Sequence, residues 1–232
     1  MKKLTIALLL FTLSALTSWA GDVQKGVNAD ESGDCATAFE EFPSLAEQRV
    51  AEHKFKVVPS RKGWNAYERG DYTTACKEFA ALAGQGHADA QYNLGLMYHN
   101  GQGFKQDYRQ AIKWYTRAAE QGMAEAQYIL GAMYKFGQGV PQDYKQVVKW
   151  YAKAAEQGDA DAQSNLGAMY ANGQGVPQDN VYAHMWFNLG AANGNEPASE
   201  NRDIIAKRMT TADISKAQSL ARECLKKNYK GC

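Results

Sequence analysis

One block of letters returns along this chain at a fixed step, and that constrains the fold more than any other feature. Ala88, Ala90, Gln91, Leu94, Gly95, Met97, Tyr98, Gly101, Gln102 and Gly103 recur as Ala124, Ala126, Gln127, Leu130, Gly131, Met133, Tyr134, Gly137, Gln138 and Gly139. They recur again as Ala160, Ala162, Gln163, Leu166, Gly167, Met169, Tyr170, Gly173, Gln174 and Gly175, a constant step of 36 residues. The second half keeps the same step through Asp107, Asp143 and Asp179, through Trp114, Trp150 and Trp186, and through Gly122, Gly158 and Gly194. A unit of this length forms one supersecondary element that cannot bury its apolar face alone, so neighbouring units must stack.

Each unit reads as two helices. From Ala88 the small and apolar letters follow helical spacing, with Gly95 placed to let a partner approach closely. The Gly101-Gln102-Gly103 segment ends that helix, and Val140-Pro141 and Val176-Pro177 extend the loop in the next two units. Asp107 stands where a second helix needs an N-cap. In that helix Ala111, Trp114, Tyr115, Ala118 and Ala119 form one broad apolar face, and Gly122 supplies a left-handed C-cap. The three Trp residues lie in this stripe, so core is the stronger reading than a stacking platform for sugars or bases.

The pattern from Ala88 to Gly194 resembles the Sel1-like repeat family, a relative of tetratricopeptide repeats. The resemblance implies an all-α fold, an α/α solenoid of stacked helical hairpins forming a Sel1-like or TPR-like superhelix. It also implies where a partner would sit, because in tetratricopeptide arrays the first helix of each hairpin lines the concave face. Carried over from the Leu94, Gly95, Tyr98 anchor, the inward-facing set is Asp89, Tyr92, Leu96, His99 and Asn100 in the first unit. Glu125, Tyr128, Lys135 and Phe136 follow in the second, and Asp161, Ser164 and Asn172 in the third. The aromatic side chains offer contact area, and Asp89, Glu125 and Asp161 offer a weakly acidic rail. Such a surface suits a protein loop or an extended peptide bearing a basic residue.

The flanks are organised differently. Residues Gly26 to Gln48 match Gly63 to Gln85 at a step of 37, with a short Gly-Asp turn in place of the Gly-Gln-Gly loop, as in plain tetratricopeptide hairpins. Between them the stretch from Arg49 to Pro59, with His53, Lys54 and Lys56, carries none of the Sel1 letters. Lys2 and Lys3, the apolar run Leu4 to Leu16 and the small residues Ser18 and Ala20 read as a secretory signal peptide cut after Ala20. Downstream, Pro197 to Lys207 and Thr211 to Lys226 read as two amphipathic helices that cap the last apolar face. The expected division is a signal peptide over 1–20, a TPR-like hairpin with a basic linker over 21–62, the repeats over 63–194, and capping helices with a tail over 195–232. Export to the periplasm or medium follows, with no integral membrane segment after signal cleavage.

The chain has 26 basic and 25 acidic residues, and loss of Lys2 and Lys3 leaves a net charge of −1. That balance argues against a nucleic-acid partner. No G-x-S-x-G elbow, S-x-x-K, H-E-x-x-H or phosphate loop is present, and His53, His87, His99 and His184 share no ligand spacing. No catalytic residue, metal site or cofactor is therefore expected. Two other readings stand beside the scaffold: a cell-wall-directed or β-lactam-binding enzyme, as described for cysteine-rich Sel1-like relatives, and a structural spacer in an envelope assembly. The enzyme analogy is weakened because no repeated unit here carries two cysteines. A disulfide is expected between Cys224 and Cys232, across a short polar stretch ending in Gly231, with Cys35 and Cys76 unpaired.

Overall fold

The structure is a computed structural model and describes residues 61–232. The expected signal peptide, the first hairpin, the basic linker as far as residue 60, and Cys35 lie outside the described residues. Ten helices and no strand are found among the described residues. The chain divides into two compact units, one ending at Asp107 and the other running from Tyr108 to Cys232.

The first unit holds α1 (Arg61–Glu68), α2 (Tyr72–Gly84) and α3 (Ala88–Asn100). Gly70, at φ +76°, makes the Gly-Asp turn, and Asp71 Oδ1 accepts from Thr74 N at 3.1 Å to cap α2. Gly63 lets α1 lie against α2, since a Cβ there would sit 3.0 Å from the Phe79 ring. Gly103, at φ +77°, would bring a Cβ to 3.1 Å from Tyr72 Cβ.

The second unit holds α4 (Tyr108–Glu120), α5 (Ala124–Phe136), α6 (Tyr144–Ala155), α7 (Ala160–Asn172), α8 (Asn180–Ala192), α9 (Glu196–Ala206) and α10 (Thr211–Lys226). Asp143 and Asp179 cap α6 and α8, each accepting two backbone N–H groups at 2.8 to 3.2 Å. In the α5/α6 and α7/α8 hairpins the aromatic stripe of the second helix sinks into the glycine of the first. A Cβ on Gly131 would lie 2.5 Å from two ring atoms of Tyr151, and one on Gly167 would lie 2.8 Å from Phe187. Trp114, Trp150 and Trp186 are all buried, as the stripe predicts.

Buried glutamines bind successive hairpins together. Gln127 Nε2 donates to Ala119 O at 2.9 Å and Gln163 Nε2 to Ala155 O at 3.0 Å, satisfying carbonyls at the ends of α4 and α6. Gln91 makes the equivalent bond to Ala83 O within the first unit. The amide oxygens of Gln127 and Gln163 are used as well: Gln157 Nε2 donates to Gln127 Oε1 at 2.8 Å, and Asn193 Nδ2 to Gln163 Oε1 at 2.9 Å. Tyr229 OH donates to Asn193 Oδ1 at 3.0 Å and so terminates the second of these chains. Its ring covers Gly158, and the loop that carries it is closed by the expected disulfide between Cys224 and Cys232, whose Cα atoms are 5.6 Å apart.

The last hairpin is covered on two sides. Ala217, Ala221 and Cys224 of α10 share one core with Met185, Trp186 and Leu189 of α8. Ala198 and Ile205 of α9 pack with Ala183 and Phe187. Asn195 caps α9 and Thr210 caps α10.

Candidate binding surface

The first helix of each hairpin ends alike, and that ending sets which of its side chains reach the surface. Gly101, Gly137 and Gly173 adopt φ between +66° and +69° and return their N–H to Met97, Met133 and Met169. Gln106, Gln142 and Gln178 then reach back to the carbonyls of His99, Lys135 and Ala171 at 2.6 to 2.8 Å. With its last carbonyls satisfied, each helix holds its final turn firmly, and the side chains there are presented from a fixed backbone.

In the first unit Asp89 and Asn100 are exposed, and Tyr92, Leu96 and His99 are half-buried on α3. Burial lowers the pKa of the His99 imidazole below its ordinary range. Asn100 Nδ2 donates to Gln102 Oε1 at 3.3 Å, and Gln102 is held by Tyr67 and Tyr72 through their hydroxyls.

In the second unit Glu125, Asp161 and Asn172 are exposed, and Phe136 keeps 68% of its surface open. Tyr128 stacks on Tyr151 with centroids 5.6 Å apart, leaving the Tyr128 ring half-buried. Burial first, then the carboxylates of Asp161 and Asp159, push the Tyr128 phenol up. Lys135 Nζ donates to Asn165 Oδ1 at 3.2 Å while lying 5.6 Å from the Phe136 centroid. Asp161 Oδ1 accepts from Asn195 Nδ2 at 2.6 Å. The structure thus gathers Tyr128, Lys135 and Asp161 around Asn165, with Phe136 beside Lys135.

Ser164 is a correction: it is buried, beneath the contact of Gly190 with the start of α7, and offers nothing to a partner. A small side chain stands there because α8 closes on α7 at that point. Asn165 and Asn195 were not picked out from the sequence. Asn165 falls where Asn93 and Ile129 stand in the other units, and that variation was the available signal.

Acidity on this side has a local cause. Asp159 accepts from Ala162 N as the α7 cap, yet burial raises its carboxyl pKa, with Asp161 and Glu125 adding to the effect. An open depression of 640 Å³ lies elsewhere, at the loop after α5, lined among others by Tyr134, Pro141, Asp143 and Tyr144. It marks where Gly175 of one loop meets the start of α6, and it contains none of the surface residues above. Among the described residues no group of three His, Cys, Asp or Glu could hold a metal, and no helix is long and apolar enough to cross a membrane.

Helical hairpins stacked at a 36-residue step, glycine-sunk aromatics and amide-linked turns define an α/α repeat protein. The Sel1 repeat model matches residues 88–123, 124–159 and 160–195. The crystal structure of a Sel1 repeat protein from Oxalobacter formigenes is 39% identical, over 55% of this chain and 96% of that one, with a TM-score of 0.52. That of a protective antigen present in uropathogenic Escherichia coli strains, displaying an SLR fold, is 28% identical over 88% of this chain, with a TM-score of 0.61. This chain spans 41% of that antigen's length. No curated protein sequence matches the chain. The chain belongs to the Sel1 repeat family, whose repeats generally serve as scaffolds for protein binding.

Proposed function

We propose that this protein is an exported scaffold that holds a partner protein or an extended peptide on the first helices of its hairpins. The observation that carries this reading is the grouping on α5 and α7. Phe136 is two-thirds open, Tyr128 is half-buried, and Asp161, Lys135 and Asn165 supply polar groups on the same two helices. Apolar anchors ringed by fixed polar groups are what peptide and protein recognition uses. The acidic side chains Glu125, Asp159 and Asp161 favour a partner with a basic residue. Export rests on the sequence pattern of residues 1–20.

The test is cross-linking in intact cells with the parent chain and with Phe136→Ala combined with Glu125→Ala. Both side chains are exposed, so thermal stability should move by less than about 0.5 kcal/mol. Capture of the partner should fall severalfold. Unchanged capture would remove this surface from consideration, and acylation of the chain by a labelled penicillin would favour the enzyme reading.

A further inference from the structure

We propose that the outer face of α4 and α6 docks an acidic helix supplied by a partner protein. On α4, Arg109, Lys113 and Arg117 stand at i, i+4 and i+8, and on α6, Lys145, Lys149 and Lys153 stand at the same positions 36 residues later. All six are exposed. They form two columns of one sign on a chain whose charges otherwise balance, and each column is about 12 Å long at the helical rise.

Three of the cations are held in place by an aromatic ring. Arg117 Cζ lies 4.6 Å from the Trp114 ring centroid, and Lys149 and Lys153 Nζ lie 5.1 and 4.8 Å from that of Trp150. Stacking of this kind fixes long side chains that would otherwise lose rotamer entropy on binding.

The third hairpin shows what this face accepts. One repeat further on, the same register positions are Val181, Met185 and Leu189, and there α10 of the chain itself lies on the face. Its Ala217, Ala221 and Cys224, at i, i+4 and i+7, pack on Met185, Trp186 and Leu189, with Cys224 Sγ 3.9 Å from Met185 Sδ. The outer face of a second helix is thus a helix-docking face, covered by α10 where its residues are apolar and solvent-exposed where they are cationic. A helix that fits α4 and α6 must carry a stripe of small residues, as α10 does, flanked by carboxylates at i, i+4 spacing. Asp143 and Glu156 bracket the α6 column, and Glu120 closes the α4 column. That confines the anions to a short segment and disfavours a flat anionic surface.

The experiment uses the full chain and a fluorescent helical peptide with an alanine stripe spaced as in α10 and glutamates flanking it at i, i+4. The peptide should bind, and its scrambled counterpart, with the glutamates dispersed round the helix, should bind at least about tenfold more weakly. Lys113→Glu, Lys149→Glu and Lys153→Glu together should weaken the peptide by a further tenfold or more, on the order of buried-rim charge reversals, with the helical spectrum unchanged. The glutamine triple variant should fall between. Phe136→Ala should leave peptide binding intact, which separates this face from the surface on α5 and α7. Equal binding of the two peptides, unchanged binding by the charge-reversed chain, or binding to phosphatidylglycerol vesicles in preference to the peptide would each overturn the proposal.

Discussion

Gly131→Ala tests how the hairpins close. A Cβ at this position would stand 2.5 Å from both Cδ1 and Cε1 of Tyr151 and 3.2 Å from Cγ. Carbon atoms rest at about 3.5 to 4.0 Å, so two contacts overlap by roughly 1 Å. The ring cannot easily retreat, because Tyr151 is 1% exposed, shares a core with Leu166 and Met169, and has Tyr128 stacked on it. Overpacking of this kind costs about 1–3 kcal/mol, and two ring atoms struck at once place it near the top of that range. Replacing a helical glycine by alanine returns about 1 kcal/mol of helix propensity. The net expectation is a loss of about 1–2 kcal/mol, read as a lower urea midpoint at unchanged slope. Pairing the substitution with Tyr151→Leu should reveal a favourable coupling of at least about 1 kcal/mol, since the smaller side chain leaves room for the methyl. A Gly131→Ala chain as stable as the parent would show that the close approach is not what selects glycine. Gly167→Ala, with its shortest contact to Phe187 at 2.8 Å, should show a smaller loss.

Trp150→Ala should cost about 3–5 kcal/mol, because the ring is 5% exposed and the truncation opens a cavity; an unchanged denaturant midpoint would mean the indole is not core. His184 on α8 is buried and its pKa is lowered, first by burial and then by Arg202, with Asp203 opposing. The folded state therefore prefers the neutral ring, so this contribution is complete above about pH 6.5 and is lost as pH falls through the folded value. The melting temperature should drop between about pH 7.5 and pH 5, and His184→Gln should flatten that slope; equal slopes would remove His184 as the cause. Reduction of the Cys224–Cys232 bond should remove at most about 2–3 kcal/mol and loosen Tyr229 from Asn193, and mass spectrometry finding free thiols at both cysteines of the unreduced protein would defeat the pairing.

The repeat made the architecture legible because its letters are those that geometry forces. Gly131 and Gly167 must be glycine to admit a ring, and Asp143 and Asp179 must reach two backbone N–H groups from a short side chain. A constraint that recurs in three units leaves a periodic trace. Gln127 and Gln163 leave the same trace, yet their role was not readable from it. A recurring glutamine among alanines looks polar and hence exposed, and only the structure shows the carbonyl of the preceding helix waiting 2.9 to 3.0 Å away.

Binding surfaces obey the opposite rule, and this is why they were less legible. A residue that meets a partner is not constrained by the neighbouring repeat, so it differs from unit to unit, as does any solvated residue. Ser164 varied for a third reason, the closure of α8 on α7, and its position relative to the Leu-Gly-Tyr anchor placed it in the set with Phe136. The outer columns on α4 and α6 were hidden differently. Arg109, Lys113 and Arg117 keep their charge in Lys145, Lys149 and Lys153, with identity kept only at Lys113 and Lys149, and whole-chain counting cancels them against acids on other faces. Their meaning emerges only from comparison with Val181, Met185 and Leu189, where the chain supplies its own covering helix. Where the sequence exchanges cations for aliphatic residues at fixed register, the structure exchanges an open face for a covered one.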